Sequence, residues 1–226
     1  MFTFKSKTAE SLKVVVNKLP PFKTAQKLVR FYPIEGSDKT EVEELGFQSY
    51  NLPCTITLMD LTKLDEVMAW LNGSGFLTRD DDDTKYLKAS VYNGVEIQKN
   101  KTTGTGSFEF YISDPFRYLL NEADVTITEP TVVANAGTYF SEPLLKITGS
   151  GVISVTVGDM TFGYNFGDET EVYIDGAIKE AYYPTVEELK NRKMTGDFPR
   201  LEVGNNIVTW TGTVTEIILT KRTRYL

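Results

Sequence analysis

The sequence predicts a mostly β protein in two parts, an α+β half followed by an all-β half, and three observations carry that prediction. Aromatic residues make up 12% of the 226 residues, with 12 Tyr and 13 Phe. Together with many Val, Ile and Thr they suit pleated, half-buried surfaces better than helices. Several segments alternate apolar and polar residues with the two-residue period of a strand, and only one, 61–71, carries its apolar residues at helical spacing. The length also exceeds what one small core needs, which favours two domains.

In the first half, Cys54, Ile56 and Leu58 oppose Thr55 and Thr57; Leu87, Ala89 and Val91 oppose Lys88 and Ser90; Phe108, Phe110 and Ile112 oppose Ser107, Glu109 and Tyr111. Each run reads as a strand that is wet on one face. Weaker patterning marks strands over 12–16 and 28–34, both ending at or near a proline, which cannot donate to a ladder. Leu61, Leu64, Val67, Met68 and Leu71 form one helical stripe, with Asp60 or Thr62 to cap its start and Gly73 to end it. A lone helix among strands lays its stripe on a sheet, which makes this half α+β.

The pattern pauses at Asn121-Glu122-Ala123-Asp124, so the domains are expected at 1–121 and 122–226. Beyond the pause, Ile153, Val155 and Val157 alternate with Ser154 and Thr156, while Met160, Phe162, Tyr164 and Phe166 alternate with Thr161, Gly163 and Asn165. Gly158-Asp159 between them suits a tight hairpin turn. Val172 and Ile174 lead into Asp175-Gly176, a second hairpin signal, before a strand over 178–183. Asn205-Asn206 and Gly212 punctuate two final strands, 207–211 and 214–221. Thr185-Val186-Glu187-Glu188 has capping-box form and predicts a short helix after Pro184. Short strands at this cadence predict a β-sandwich or a jelly-roll-like fold.

Composition narrows the function. With 24 basic and 31 acidic residues the net charge is −7, which opposes sequence-blind binding to a phosphate backbone, so no nucleic-acid partner is expected. The imbalance lies in the second half: 15 basic and 16 acidic residues up to Asn121, then 9 and 15. Met1-Phe2-Thr3-Phe4-Lys5 opens no signal-peptide core and no run approaches the ~20 apolar residues that span a bilayer. Cytosolic synthesis and no membrane partner are the expectation. Cys54 is the only cysteine, which rules out an intrachain disulfide.

The chain has no histidine, which removes the commonest general base, the usual imidazole ligand and a Ser-His-Asp arrangement. Asp80-Asp81-Asp82-Asp83 could attract a hard cation, but a calcium loop alternates its ligands, turns on a glycine and ends on a glutamate. The run reads as a solvated turn, and Glu41, Glu43 and Glu44 read as a solvated face. The pairs Gly73/Gly75, Gly104/Gly106 and Gly149/Gly151 are too short for a phosphate-binding loop and read as turns. No local motif selects a pair of carboxylates for glycoside hydrolysis. No catalytic, cofactor-binding or metal-ligating residue is therefore predicted, no cofactor is expected, and the chain is not read as an enzyme. Tyr139, Phe140, Phe162, Tyr164, Phe166, Tyr173, Tyr182, Tyr183 and Trp210 could include a platform for sugar rings. Alternation instead sends Phe162, Tyr164 and Phe166 toward a core. Lys221, Arg222 and Arg224 read as a basic ending paired with acidic neighbours.

Two sets of residues carry a resemblance to a known family. The first comprises Trp70-Leu71-Asn72-Gly73-Ser74-Gly75-Phe76-Leu77, the acidic turn through Asp83, Tyr86-Leu87-Lys88-Ala89, and Phe108-Glu109-Phe110 to Asp114-Pro115-Phe116. The second comprises Gly196-Asp197-Phe198-Pro199-Arg200-Leu201, Gly204-Asn205-Asn206, Trp210-Thr211-Gly212 and Arg222-Thr223-Arg224-Tyr225-Leu226. In order and spacing the chain resembles the distal tail proteins of phages with long non-contractile tails, particularly those of Gram-positive hosts. The resemblance implies an N-terminal domain with one helix on a sheet or split barrel and a galectin-like C-terminal β-sandwich. It also implies a hexameric ring at the tail tip of the virion, joining the tail tube protein to the tail-associated fibre or lysin and the adhesion apparatus. Some members grip receptor-binding proteins with a long arm inserted in the C-terminal domain, and 123–226 has no insertion of that length. A ring needs a heterologous contact, for which the segment 5–16 or the hairpin ending near Tyr111 would supply an exposed edge. The alternative reading is a carbohydrate-binding β-sandwich module that contacts cell-wall saccharide.

Overall fold

In the computed structural model, which describes residues 1–226, the chain divides into one unit of Met1–Leu120 with Leu226 and a second of Asn121–Tyr225. The first unit contains β1 (Phe2–Phe4), β2 (Lys7–Thr8), β3 (Val14–Lys18), β4 (Lys27–Pro33), β5 (Thr40–Phe47) and β6 (Tyr50–Leu58) before its single helix, α1 (Leu64–Trp70). After the helix come β7 (Gly73–Arg79), β8 (Asp82–Val91), β9 (Glu96–Lys99), β10 (Gly104–Ile112) and β11 (Arg117–Leu119). The main sheet runs in the order β2-β1-β7-β8-β10-β6-β3, with β11 beside β8 and β9 beside β10, while β4 and β5 form a separate two-stranded ladder.

Alternation decides which face of the sheet is dry. Leu52, Cys54, Ile56 and Leu58 of β6, Leu87, Ala89 and Val91 of β8, and Phe108, Phe110 and Ile112 of β10 enter one core with Phe2 and Phe4 of β1. The helix closes this core through Trp70, which stacks on Phe2 with ring centres 5.5 Å apart and donates its indole N–H to the Phe4 carbonyl at 2.7 Å. Asp60 starts the helical segment by accepting from the Thr62 amide at 2.9 Å. A 3-10 turn at Leu61–Lys63 comes first, and the helix ends on Leu71 as its cap, so Gly73 does not end it but opens β7. The tighter turn, with three residues per revolution, shifts the buried stripe. Val67 and Leu71 are buried as expected, but Met68 is exposed and Trp70 takes the inner place.

The segment 5–16 contributes both ends of the sheet order, β2 and β3. Tyr111, by contrast, is no edge residue. It pairs with Asn51 of β6 on one side and Ser90 of β8 on the other, and the outer strand of that hairpin is the four-residue β9. The sequence placed Tyr111 near an edge because a strand's neighbours are not written in its own pattern.

The second unit contains β12 (Val125–Ile127), β13 (Thr131–Asn135), β14 (Leu144–Val157), β15 (Met160–Asn165), β16 (Glu171–Asp175), β17 (Glu180–Tyr182), β18 (Met194–Gly196) and β19 (Gly204–Thr220), all in one hydrogen-bonded sheet. β14 and β19, 14 and 17 residues long, pair along most of their lengths with register shifts at Thr148/Gly149 and Ser150/Ser154. Before the shifts β14 also pairs with β16, and after them with β15. In the same way β12 adds to the last part of β19 and β13 to its first part. The sheet thus folds over into two layers. Leu145, Ile147 and Ile217 of one layer share a core with Val155, Phe162 and Val208 of the other.

Two expectations fail here for visible reasons. Gly212 does not separate two strands but bends one. Its φ is +89°, and a Cβ there would lie 2.5 Å from the Val152 carbonyl oxygen, the conformation and close approach that a glycine bulge allows. No helix follows Pro184 either. The Thr185 hydroxyl bonds the Glu187 carboxylate at 2.8 Å rather than capping an amide, and Val186 and Leu189 are exposed, so no apolar face exists to seat a helix. Only a 3-10 turn forms, at Asn191–Lys193. No helix of the chain is long and apolar enough to cross a membrane.

Candidate functional site

The β4–β5 hairpin is the surface whose exposure the fold itself does not explain. Its strands pair only with each other, and every residue except Val29 and Phe47 is exposed. The register sets Val29 against Glu44, Phe31 against Val42 and Pro33 against Thr40, alternating with Arg30 against Glu43 and Tyr32 against Glu41. Opposed residues share a face and successive residues change face. One face therefore carries Val29, Phe31, Pro33 and Val42, with Glu44 and Thr40 opposite its two ends, and the other carries Arg30, Tyr32, Glu41 and Glu43. On the polar face Arg30 donates to the Tyr32 hydroxyl at 3.1 Å, which donates to Glu43 at 2.7 Å. On the apolar face Phe31 is 62% exposed and Val42 51% exposed. The hairpin is rooted by the Gln48 amide, which donates to the Gln26 carbonyl at 2.8 Å, and by Phe47, set edge-on to Phe116 at 5.5 Å.

A second apolar surface borders the edge strand β3. Val15 and Met59 are half exposed there and, with Met1 and Lys13, line a groove of about 420 Å³. An isolated two-stranded ladder is marginally stable in water, and apolar surface left open on it and beside a sheet edge is what association surfaces look like.

The residues flagged by sequence occupy other places. Asp80-Asp81 forms the turn from β7 to β8, and its neighbours are drawn to separate cations: Asp80 to the Met1 amine at 2.6 Å, Asp81 to Arg79 at 2.6 and 2.8 Å, and Asp82 to Lys85 at 3.0 Å and Arg117 at 2.9 Å. Hydrogen bonds from Arg79 hold the Asp81 pKa down. For Asp82, burial opposes the charge, but hydrogen bonds from Lys85, Thr84 and Arg117 outweigh it and also lower the pKa. No group of three or more Cys, Asp or Glu converges in a metal-holding arrangement. Cys54 is buried, and desolvation pushes its thiol pKa up to about 12. Glu41, Glu43 and Glu44 lie exposed on β5, a strand that their charge concealed in the sequence.

In the second unit, Phe162, Tyr164 and Phe166 are at most 1% exposed and belong to the core, so none can serve as a platform. Trp210 packs against the same core. Phe140 is flanked by the Arg200 and Arg224 guanidinium groups, each 4.7 Å from its ring centre, and Tyr173 stacks on Tyr182 at 5.2 Å. The basic ending is paired throughout: Lys221 with Glu122 at 3.4 Å, Arg222 with Asp175 at 2.6 Å and Arg224 with Glu142 at 3.2 Å.

Among solved structures, the chain is similar to the Dit protein of phage SPP1, described as a paradigm of the hub adsorption apparatus in phages that infect Gram-positive hosts. The TM-score is 0.72 at 13% identity, over 96% of this chain and 97% of that one. Two structures of the phage p2 baseplate in its activated conformation, with strontium and with calcium, align more loosely. Both give a TM-score of 0.45, at 10% and 9% identity, over 92% of this chain and 91% of theirs. No family profile matches the sequence, and a search of curated proteins finds no significant match. The chain has the fold of the SPP1 Dit protein across nearly its whole length.

Proposed function

We propose that this chain is a structural component of a phage tail tip, a hub whose copies close into a hexameric ring between the tail tube and the tail-associated fibre or lysin and adhesion apparatus. The observation that carries the reading is the uncovered apolar face of the β4–β5 hairpin, in a chain whose fold follows that of a phage hub protein from end to end. A ring requires one patch of each copy to meet a different patch of the next. The hairpin face around Phe31 and Val42 supplies the first patch, and the groove beside β3 around Val15 and Met59 supplies the second. The domains of this hub are assigned as 1–121 for ring closure and 122–226 for a peripheral, galectin-like sandwich, and the place of work is the virion.

Negative-stain imaging of the purified chain tests the reading against that of a tail-tube subunit. Discrete rings of uniform diameter support a hub. Tubes that lengthen without limit support a tube subunit, and featureless single copies at every concentration contradict both.

A further inference from the structure

A second site stands on the face of the main sheet turned away from its core. Asn51 of β6, Tyr111 of β10, Ser90 of β8 and Ser74 of β7 lie side by side in one row across four strands. Above this row Tyr92, 66% exposed, leans toward Tyr111 with ring centres 5.9 Å apart and planes inclined at 48°. The two rings and Asn51, Asn93 and Glu109 line an open cleft of about 350 Å³, within the rough range of 300–1,000 Å³ typical of small-molecule sites. The polar groups are set in place. Asn51 donates its side-chain amide to Glu109 at 2.8 Å, and the Tyr92 hydroxyl lies 3.4 Å from that of Ser74, itself 2.8 Å from Ser90.

The lining selects its ligand by chemistry. No Lys or Arg lines the cleft and its one charge is a carboxylate, so a phosphate, sulfate or uronic acid would meet repulsion without a counter-charge. No aliphatic side chain lines it either, so it has no dry floor for a Leu or Val anchor of a peptide. It offers two aromatic faces, whose polarised rings suit the C–H groups of a pyranose, beside planar amide and carboxylate groups that pair donors and acceptors with vicinal hydroxyls. The geometry points to a neutral-saccharide subsite at Tyr92, Tyr111, Asn51, Asn93 and Glu109. This subsite lies in the first unit and not among the sandwich aromatics, and it stands whether or not the chain forms a ring.

The test is binding of the intact chain to an array of neutral and acidic oligosaccharides, repeated with Tyr92→Ala and Asn51→Ala. Both positions are exposed, so each variant should keep the parent Tm. The expected result is binding to one or more neutral glycans that weakens roughly tenfold in each variant. Absence of binding to every neutral glycan, binding confined to acidic glycans, or equal binding by parent and both variants overturns the assignment.

Discussion

Phe31 and Val42 stand directly opposite each other on the β4–β5 ladder, yet most of each side chain is open to water. A cross-strand aromatic and β-branched pair is the kind of contact that stabilises a sheet face, and fully covering each side chain would contribute about 1.5–3 kcal/mol. Phe31→Asp should therefore weaken assembly while leaving the monomer folded, since the residue touches no core. Val15→Asp, at the opposing groove, should do the same. Sedimentation of each variant across a concentration series is the check: a folded monomer is expected, and assemblies as tight as the parent's would remove the hairpin from the interface.

Trp70 fastens α1 to β1 by two separate means, its stacking on Phe2 and its hydrogen bond to the Phe4 carbonyl. Trp70→Phe keeps a ring but leaves that buried carbonyl without its donor, at a cost of about 1–3 kcal/mol. Trp70→Ala also opens a cavity and should cost about 3–5 kcal/mol. Urea unfolding separates the two, and a Trp70→Phe variant as stable as the parent would show that the hydrogen bond contributes nothing.

The bend at Gly212 is required for β19 to serve both layers. Gly212→Ala sets a Cβ 2.5 Å from the Val152 carbonyl oxygen at a φ of +89°, and strain of this kind costs on the order of 1–3 kcal/mol. The second unit should melt earlier in the variant by calorimetry. An unchanged transition would mean that β19 can bend elsewhere.

Much of this architecture was legible because burial leaves a periodic trace. Strands β6, β8 and β10 announce themselves by alternation, and Phe162, Tyr164 and Phe166 point to the core they occupy. What the sequence could not show was pairing. Gly212 looks like a stop because a glycine at a turn and a glycine at a bulge have the same composition, and only the partner strand distinguishes them. The hairpin escaped in part because β5 is acidic: with neither face buried, nothing imposes alternation on Glu41, Glu43 and Glu44. Its amphipathic faces emerge only from the register that opposes Phe31 to Val42. The Tyr92 cleft escaped for the same reason, since its residues come from two strands, β6 and β10, and the bend after β8.

Glu169 gives the second unit a specific acid sensitivity. Lys190 and Lys193 reach its carboxylate at 3.0 and 2.9 Å, and the Tyr164 hydroxyl donates to it at 3.1 Å. Burial works against the charge, but the hydrogen bonds from Lys193, Lys190 and Tyr164 outweigh it and hold the pKa at about 2. A carboxyl depressed below its unfolded value of about 4.3 contributes stability that is complete above that pH and lost as pH falls through the folded value. Glu169→Gln should thus be less stable than the parent at neutral pH, with the gap narrowing from pH ~4.3 downward. Denaturant titrations at a series of pH values measure the gap, and a gap that stays constant would contradict this linkage.

Assembly into a ring sets the mass of the purified chain in solution. Light scattering coupled to size exclusion should give six times the 25.4 kDa chain mass at concentrations where Phe31→Asp elutes as a single copy. A parent protein that remains a single copy over the whole accessible concentration range would rule out a self-assembling ring.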